Sequence, residues 1–239
     1  KALSIFFKSS LRYFYLLLIL TLVLCCSKDD GPKLPEQAEL FLPINGESCH
    51  SGNIINDNQT EVEFSWSDAK HITSYNLFIK NMVTSQTVTR NSLVTNSSSV
   101  YLTPGFPYEW HVTSISENYP EDSVQSQTWR FYLLNDNQTN SPPFPASLIS
   151  PSSGELISLS NNSFTFDWDG SDPDGDVIKY DLFVDKVDGF QPTAEELKNI
   201  SNSTKFVVLD SNSEYFWRVI TKDSNGNQSS SQVYTFRTN

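Results

Sequence analysis

The chain repeats itself, and that repeat limits its possible folds more than any other feature. Val62-Glu63-Phe64-Ser65-Trp66 matches Phe164-Thr165-Phe166-Asp167-Trp168, and Tyr75-Asn76-Leu77-Phe78-Ile79 matches Tyr180-Asp181-Leu182-Phe183-Val184. Further on, Tyr108-Glu109-Trp110-His111-Val112 matches Tyr215-Phe216-Trp217-Arg218-Val219. Ser126-Gln127-Thr128-Trp129-Arg130-Phe131 matches Ser231-Gln232-Val233-Tyr234-Thr235-Phe236. The pairs keep their order at offsets of 102 to 107 residues. Such small drifts are what insertions confined to loops between fixed elements produce. Chance does not give four ordered matches, so the 239 residues hold two copies of one unit.

Each matched block alternates apolar and polar residues with period two, the mark of a strand buried on one face. Val62, Phe64 and Trp66 share a face, as do Tyr108, Trp110 and Val112; the second copy repeats both sets. Clusters of Asn, Ser, Gly and Pro separate the blocks. Only residues 194–199 hint at helix, and at that length one turn is the most to expect. Short strands with turn signals between them predict an all-β chain of two sandwiches, each built from antiparallel sheets. The expected boundaries are a first sandwich over 38–135, a proline-rich linker over 136–145 and a second sandwich over 146–239. Pro142, Pro143 and Pro145 favour an extended, semi-rigid connection with the sandwiches end to end.

Leu102-Thr103-Pro104-Gly105-Phe106-Pro107-Tyr108-Glu109-Trp110-His111-Val112 resembles the fibronectin type III signature, Leu-x-Pro-x-x-x-Tyr leading into the sixth strand of an immunoglobulin-like sandwich. The second copy has Leu209, Ser211 and Tyr215 in the same places, with Ser211 departing from the family's Pro. The resemblance implies that Tyr108 and Tyr215 form tyrosine corners, with the hydroxyl bonded to nearby backbone. It also implies that Trp66 and Trp168 are core residues of the second strand, with Trp110 and Trp217 on the sixth. Domains of this kind serve as adhesins, spacers and enzyme appendages, so the resemblance speaks to fold far more than to function.

The N-terminus reads as an address. Lys1, Lys8 and Arg12 precede an apolar stretch over residues 13–26, broken only by Thr21. As a helix it would reach about 21 Å, short of the roughly 30 Å that a membrane span needs, so a secretory signal is favoured over an anchor helix. Leu22-Val23-Leu24-Cys25-Cys26-Ser27 resembles the lipobox of bacterial lipoproteins, which implies lipidation of Cys26, with the small Cys25 before it. Lys28, Asp29 and Asp30 follow at once and resemble the surface-export signal of Bacteroidetes lipoproteins; a solvated, charged tether over 27–37 would look the same. The chain opens on Lys1 rather than Met, which implies a missing or misassigned start. Cleavage before Cys26 would remove three positive charges from a net −12 and leave −15. Cys49 would then be the one thiol outside the anchor, expected as a lone side chain in a loop.

An acidic chain repels phosphate backbones, so nucleic acid is not an expected partner. The expected partners are a membrane, through the lipid, and a protein or glycan ligand. One motif suggests a metal. Asp169, Asp172, Asp174 and Asp176 lie within eight residues, with Gly170 and Gly175 among them. The alternation resembles a calcium loop of low affinity, although the Glu that closes an EF-hand loop is missing. The competing reading is a turn-rich, solvated connection between strands, which Asp, Pro and Gly favour. No other cofactor is expected. Catalysis has no visible machinery. The second copy has no His, its Lys and Arg positions read as surface choices, and His111 alternates with Trp110 toward solvent. No nucleophile elbow, phosphate loop or zinc pattern is present. Phe41, Tyr101, Phe106, Tyr119, Phe144 and Phe190 fall outside the core stripes. They serve either as stacking platforms for sugars or as plugs for sandwich ends and the interdomain joint. The expected function is a lipid-anchored, surface-facing interaction, adhesion or spacer module without catalysis; the alternative is a carbohydrate-binding accessory of an outer-membrane glycan importer.

Overall fold

The computed structural model describes residues 33–49, 52–116, 119–135, 138–176 and 179–239. Cys26, Lys28, Asp29 and Asp30 lie outside the described residues. Residues Pro35–Asn239 form one compact unit. Among the described residues, the first half contains β1 (Leu40–Leu42), β2 (Ser48–Cys49), β3 (Asn53–Asn56), β4 (Gln59–Trp66), β5 (Ile72–Asn81), β6 (Thr87–Leu93), β7 (Ser97–Leu102), β8 (Phe106–Ser116), β9 (Val124–Gln125) and β10 (Trp129–Leu133). The second half contains β11 (Ser147–Ser150), β12 (Glu155–Ile157), β13 (Ser163–Asp169), β14 (Lys179–Asp185), β15 (Thr204–Val208), β16 (Glu214–Lys222), β17 (Gln228–Ser230) and β18 (Tyr234–Thr238). The helix hint at 194–199 resolves as a single 3-10 turn, Glu195–Leu197.

The two halves share a core topology, to which the first adds β3 and β6. In the first, β4 pairs with β1, β3 and β7, and a second sheet runs β2-β10-β8-β5-β6. In the second, β11-β13-β15 faces β12-β18-β16-β14. In each half the last long strand is flanked by an antiparallel neighbour and by a short parallel one, β2 on β10 and β12 on β18. That parallel pairing explains Cys49, which the sequence places in a loop. It lies in β2 and is buried, because a two-residue strand paired in parallel has no hairpin to announce it.

Core packing is duplicated as well. Trp66, Trp110, Trp168 and Trp217 are each at most 1% exposed. Phe64 meets Trp110 edge-on at 5.0 Å, and Phe166 meets Trp217 the same way at 5.0 Å. Trp66 with Tyr75 and Trp168 with Tyr180 are both T-shaped at 5.5 Å. Tyr108 stacks on Phe131 at 5.7 Å and Tyr215 on Phe236 at 5.4 Å. Burying each large apolar side chain contributes about 1.5–3 kcal/mol, and each aromatic pair about 0.5–1.5 kcal/mol more. Conserved ring geometry therefore repeats the main stabilising term in both halves.

The tyrosine hydroxyls differ in sense. Tyr108 Oη donates to the Thr103 carbonyl at 2.8 Å, whereas Tyr215 Oη accepts the Asp210 N–H at 2.8 Å. Both span five residues, tying the strand start to the preceding turn. His111 departs from the solvent-facing expectation. It is half-buried and stacked on Phe78 at 4.9 Å, and burial lowers its pKa against the opposing pull of Glu109.

Candidate functional site at the joint of the sandwiches

The residues between β10 and β11 are where sequence and structure differ most. Their prolines predict an extended, semi-rigid connection; in the structure Ser141, Pro143, Phe144, Pro145 and Ala146 are all buried. Phe144 is 0% exposed and belongs to neither sandwich's core cluster. The Arg130 guanidinium of β10 lies 5.1 Å from its ring centre, and its backbone N–H donates to the Ser171 carbonyl at 2.9 Å. Phe144 thus plugs the joint, one of the two roles open to it. Of the other aromatics outside the core stripes, Phe41, Tyr101, Tyr119 and Phe190 are exposed and Phe106 is half-buried.

The acidic loop after β13 is the other wall. Asp174 Oδ2 accepts the Ser141 N–H at 2.5 Å. Asp176 Oδ2 accepts from Asn140 Nδ2 at 3.2 Å, Ser224 Oγ at 3.1 Å and Asn225 Nδ2 at 2.7 Å. Asn227 Nδ2 donates to Asn140 Oδ1 at 2.6 Å. Asp169 Oδ2 lies 3.5 Å from the Arg130 guanidinium. On the first sandwich, the Ser48 and Ser141 hydroxyls share a hydrogen bond of 2.6 Å. The carboxylates therefore serve separate partners. Among the described residues, no group of three or more His, Cys, Asp or Glu side chains is placed to hold a metal ion. Asp169, Asp174 and Asp176 thus tie the loop to the linker, to Arg130 and to Ser224 and Asn225, so the connection is a clasp as well as a turn.

Asp172 carries the electrostatic cost. Its Oδ1 accepts the Asp174 N–H at 2.7 Å, but its Oδ2 is buried without a hydrogen-bond partner. Burial pushes its carboxyl above the usual range, and the charges of Asp174 and Asp176 push the same way against backbone N–H donors. Beside the clasp, a cleft of about 300 Å³ opens between the sandwiches, lined by residues that include Lys80, Glu109, Ser147, Gln232 and Tyr234.

Two residues with defined roles escape the sequence reading. Arg218, read there as a surface choice, is 7% exposed. Its guanidinium sits 3.9 Å from the Phe183 ring centre and 4.7 Å from that of Phe190, and its Nε donates to the Gly189 carbonyl at 2.8 Å. Asp185 organises the loop that covers it. Its carboxylate accepts N–H bonds from Val187, Asp188, Gly189 and Gln191. Burial raises the Asp185 pKa, but these four donors together outweigh it and hold the group below its ordinary value. Asp185 is followed by Asp188 and Gly189, a turn signature that could have flagged the loop.

Residues 150–237 match the family model of the fibronectin type III domain. The first sandwich repeats that domain's strand order, so the fold class is all-β with two fibronectin type III-like sandwiches in tandem. Among solved structures, the fibronectin(III)-like modules of Clostridium thermocellum CbhA are similar at 13% identity and a TM-score of 0.31, over 84% of this chain and 92% of that one. The FN1–FN3 domains of chicken CNTN1 share 14% identity at a TM-score of 0.30, over 86% and 66% of the two chains. A two-domain fibronectin type III segment of chicken tenascin shares 14% at 0.28, over 85% and 97%. A search of the curated proteins found no match.

Proposed function

We propose that this protein is a lipid-anchored, outward-facing component of a bacterial outer membrane, whose two sandwiches form a non-catalytic spacer or adhesive module. The observation that carries the spacer reading is the clasped joint. Phe144 is fully buried between the sandwiches, and linker donors end on carboxylates of the second one. A stalk transmits position only if its segments do not swivel, and a packed, hydrogen-bonded linker supplies that restraint. The anchor and its direction rest on the lipobox-like residues ending at Cys26 and on Lys28, Asp29 and Asp30. A Cys26→Ala variant of the full chain is expected to move from the membrane to the soluble fraction, and protease added to whole cells is expected to degrade the unaltered protein. Membrane retention of the variant would refute the anchor, and protection in intact cells the outward face. A second reading is a carbohydrate-binding accessory of an outer-membrane glycan-uptake system. One observation favours it, the polar cleft beside the joint.

A further inference from the structure

We propose that the cleft between the sandwiches binds the end of a neutral oligosaccharide; this inference rests on the carbohydrate reading and gives it a site. The cleft lies where the outward face of the first sandwich meets the start of β11 and β18. On that face Lys80 of β5, Glu109 of β8 and Arg130 of β10 form one row in register. Arg130 is committed to Asp169 and Phe144 on the far side of the joint. Lys80 and Glu109 remain in the cleft, paired to each other at 2.9 Å, with side chains 26% and 31% exposed.

That pairing decides the charge of the ligand. A cationic or anionic group would have to break a part-buried ion pair and leave one partner uncompensated. An anion also meets a chain of net charge −12. A hydroxyl can join the pair without breaking it. One mutual bond leaves the ammonium with further donors and the carboxylate with further acceptor sites, and a hydroxyl offers both functions. Vicinal hydroxyls can therefore bridge the two. Ser147, Gln232 and Tyr234 line the same space and are likewise able to donate and accept. Met82 and the Tyr234 ring provide apolar surface for the C–H faces of a sugar ring, and Tyr234 is held edge-on against buried Trp217 at 6.3 Å. The volume of about 300 Å³ stands at the small end of ligand-sized pockets, which suits a chain end and not a long stretch of polymer.

The test is calorimetric titration of the full chain in detergent with short neutral gluco-, manno-, xylo- and galacto-oligosaccharides, alongside a sialylated oligosaccharide and an uncharged peptide. At least one neutral sugar is expected to bind, and Glu109→Gln and Gln232→Ala are each expected to weaken it about five- to tenfold, the worth of one hydrogen bond. Calorimetric unfolding of both variants should match that of the unaltered chain, which separates a lost contact from a lost fold. Binding that both variants retain undiminished would overturn the cleft while leaving the carbohydrate reading intact. Binding of no neutral sugar overturns both. Binding of only the peptide or only the sialylated sugar overturns the inference in favour of a different ligand class.

Discussion

Phe144→Ala separates the two physical accounts of the joint, a buried plug and a charged latch. The ring is 0% exposed, so removing it loses the transfer free energy of a full aromatic side chain and leaves a cavity. Substitutions of this kind cost about 3–5 kcal/mol, of which the contact with the Arg130 guanidinium at 5.1 Å accounts for about 0.5–2 kcal/mol. The ion pair on the same arginine is a far weaker tie. Its distance is 3.5 Å and the Asp169 side chain is 65% exposed, which places it at about 0–1 kcal/mol. Because Phe144 stands outside both core clusters, its loss is expected to uncouple the sandwiches without emptying either core. Scanning calorimetry of the full chain should show one cooperative transition for the unaltered protein. Phe144→Ala should split it or lower the stability of the coupled unit by about 3–5 kcal/mol, while Asp169→Asn should stay within about 1 kcal/mol. A single transition shifted by less than about 1 kcal/mol in Phe144→Ala, or a larger effect of Asp169→Asn, would refute the plug.

Asp172→Asn tests the cost of the acidic loop. The ionised form is the penalised one, so the penalty is absent below the ordinary carboxylate value of 3.8, accrues as pH rises from there to the raised folded value, and is fully present above it. The substitution is expected to raise Tm at pH 7 by no more than about 2–4 °C, with the gain vanishing on acidification; a gain equal at every pH, or a loss at pH 7, would show the charge not to be the cause. Tyr108→Phe removes the donor to the Thr103 carbonyl, and Tyr215→Phe removes the acceptor of the Asp210 N–H. Each is expected to cost about 0.5–1.5 kcal/mol in denaturant unfolding, and no measurable change in either would dismiss the corner as a stabilising bond.

The parts of the fold legible in the sequence are those governed by local periodicity. Trp66, Trp110, Trp168 and Trp217 declare themselves because period-two alternation fixes which side chains face inward, whatever the strands later pair with. Arg218 shows the limit of the same rule. Alternation places it outside the inner stripe, and only the fold-back of the Asp185 loop, with Phe190 over the guanidinium, converts an outer position into a buried one. The joint is illegible for a related reason. Ser141 and Asp174 are 33 residues apart and each reads alone as a turn residue. A plug of the joint is one of two roles the sequence leaves open to Phe144 and Phe190 alike, and only the fold buries the first and exposes the second.

The duplicated topology gives the acidic loop a structural role. In the first sandwich the chain arriving from the N-terminal side also lies against the loop between β4 and β5. Glu36 donates its N–H to the Lys70 carbonyl at 3.0 Å, as Phe144 does to Ser171 at 2.9 Å, and Pro35 is buried at that point. Pro35 and Glu36, expected at the end of a flexible tether, already lie against that loop. The first copy completes this contact with an exposed Lys70–Glu36 pair at 3.2 Å. The second copy has a longer loop, and the donors to its Asp174 and Asp176 are neutral: the Ser141 N–H, Asn140, Ser224 and Asn225. Neutral donors need acceptors, and carboxylates are the strongest ones available to a side chain. Crowding them onto one loop leaves Asp172 with a buried, unpartnered oxygen, which is the cost of packing carboxylates together. The two copies thus meet the incoming chain at the same place and differ in charge because they bind different segments.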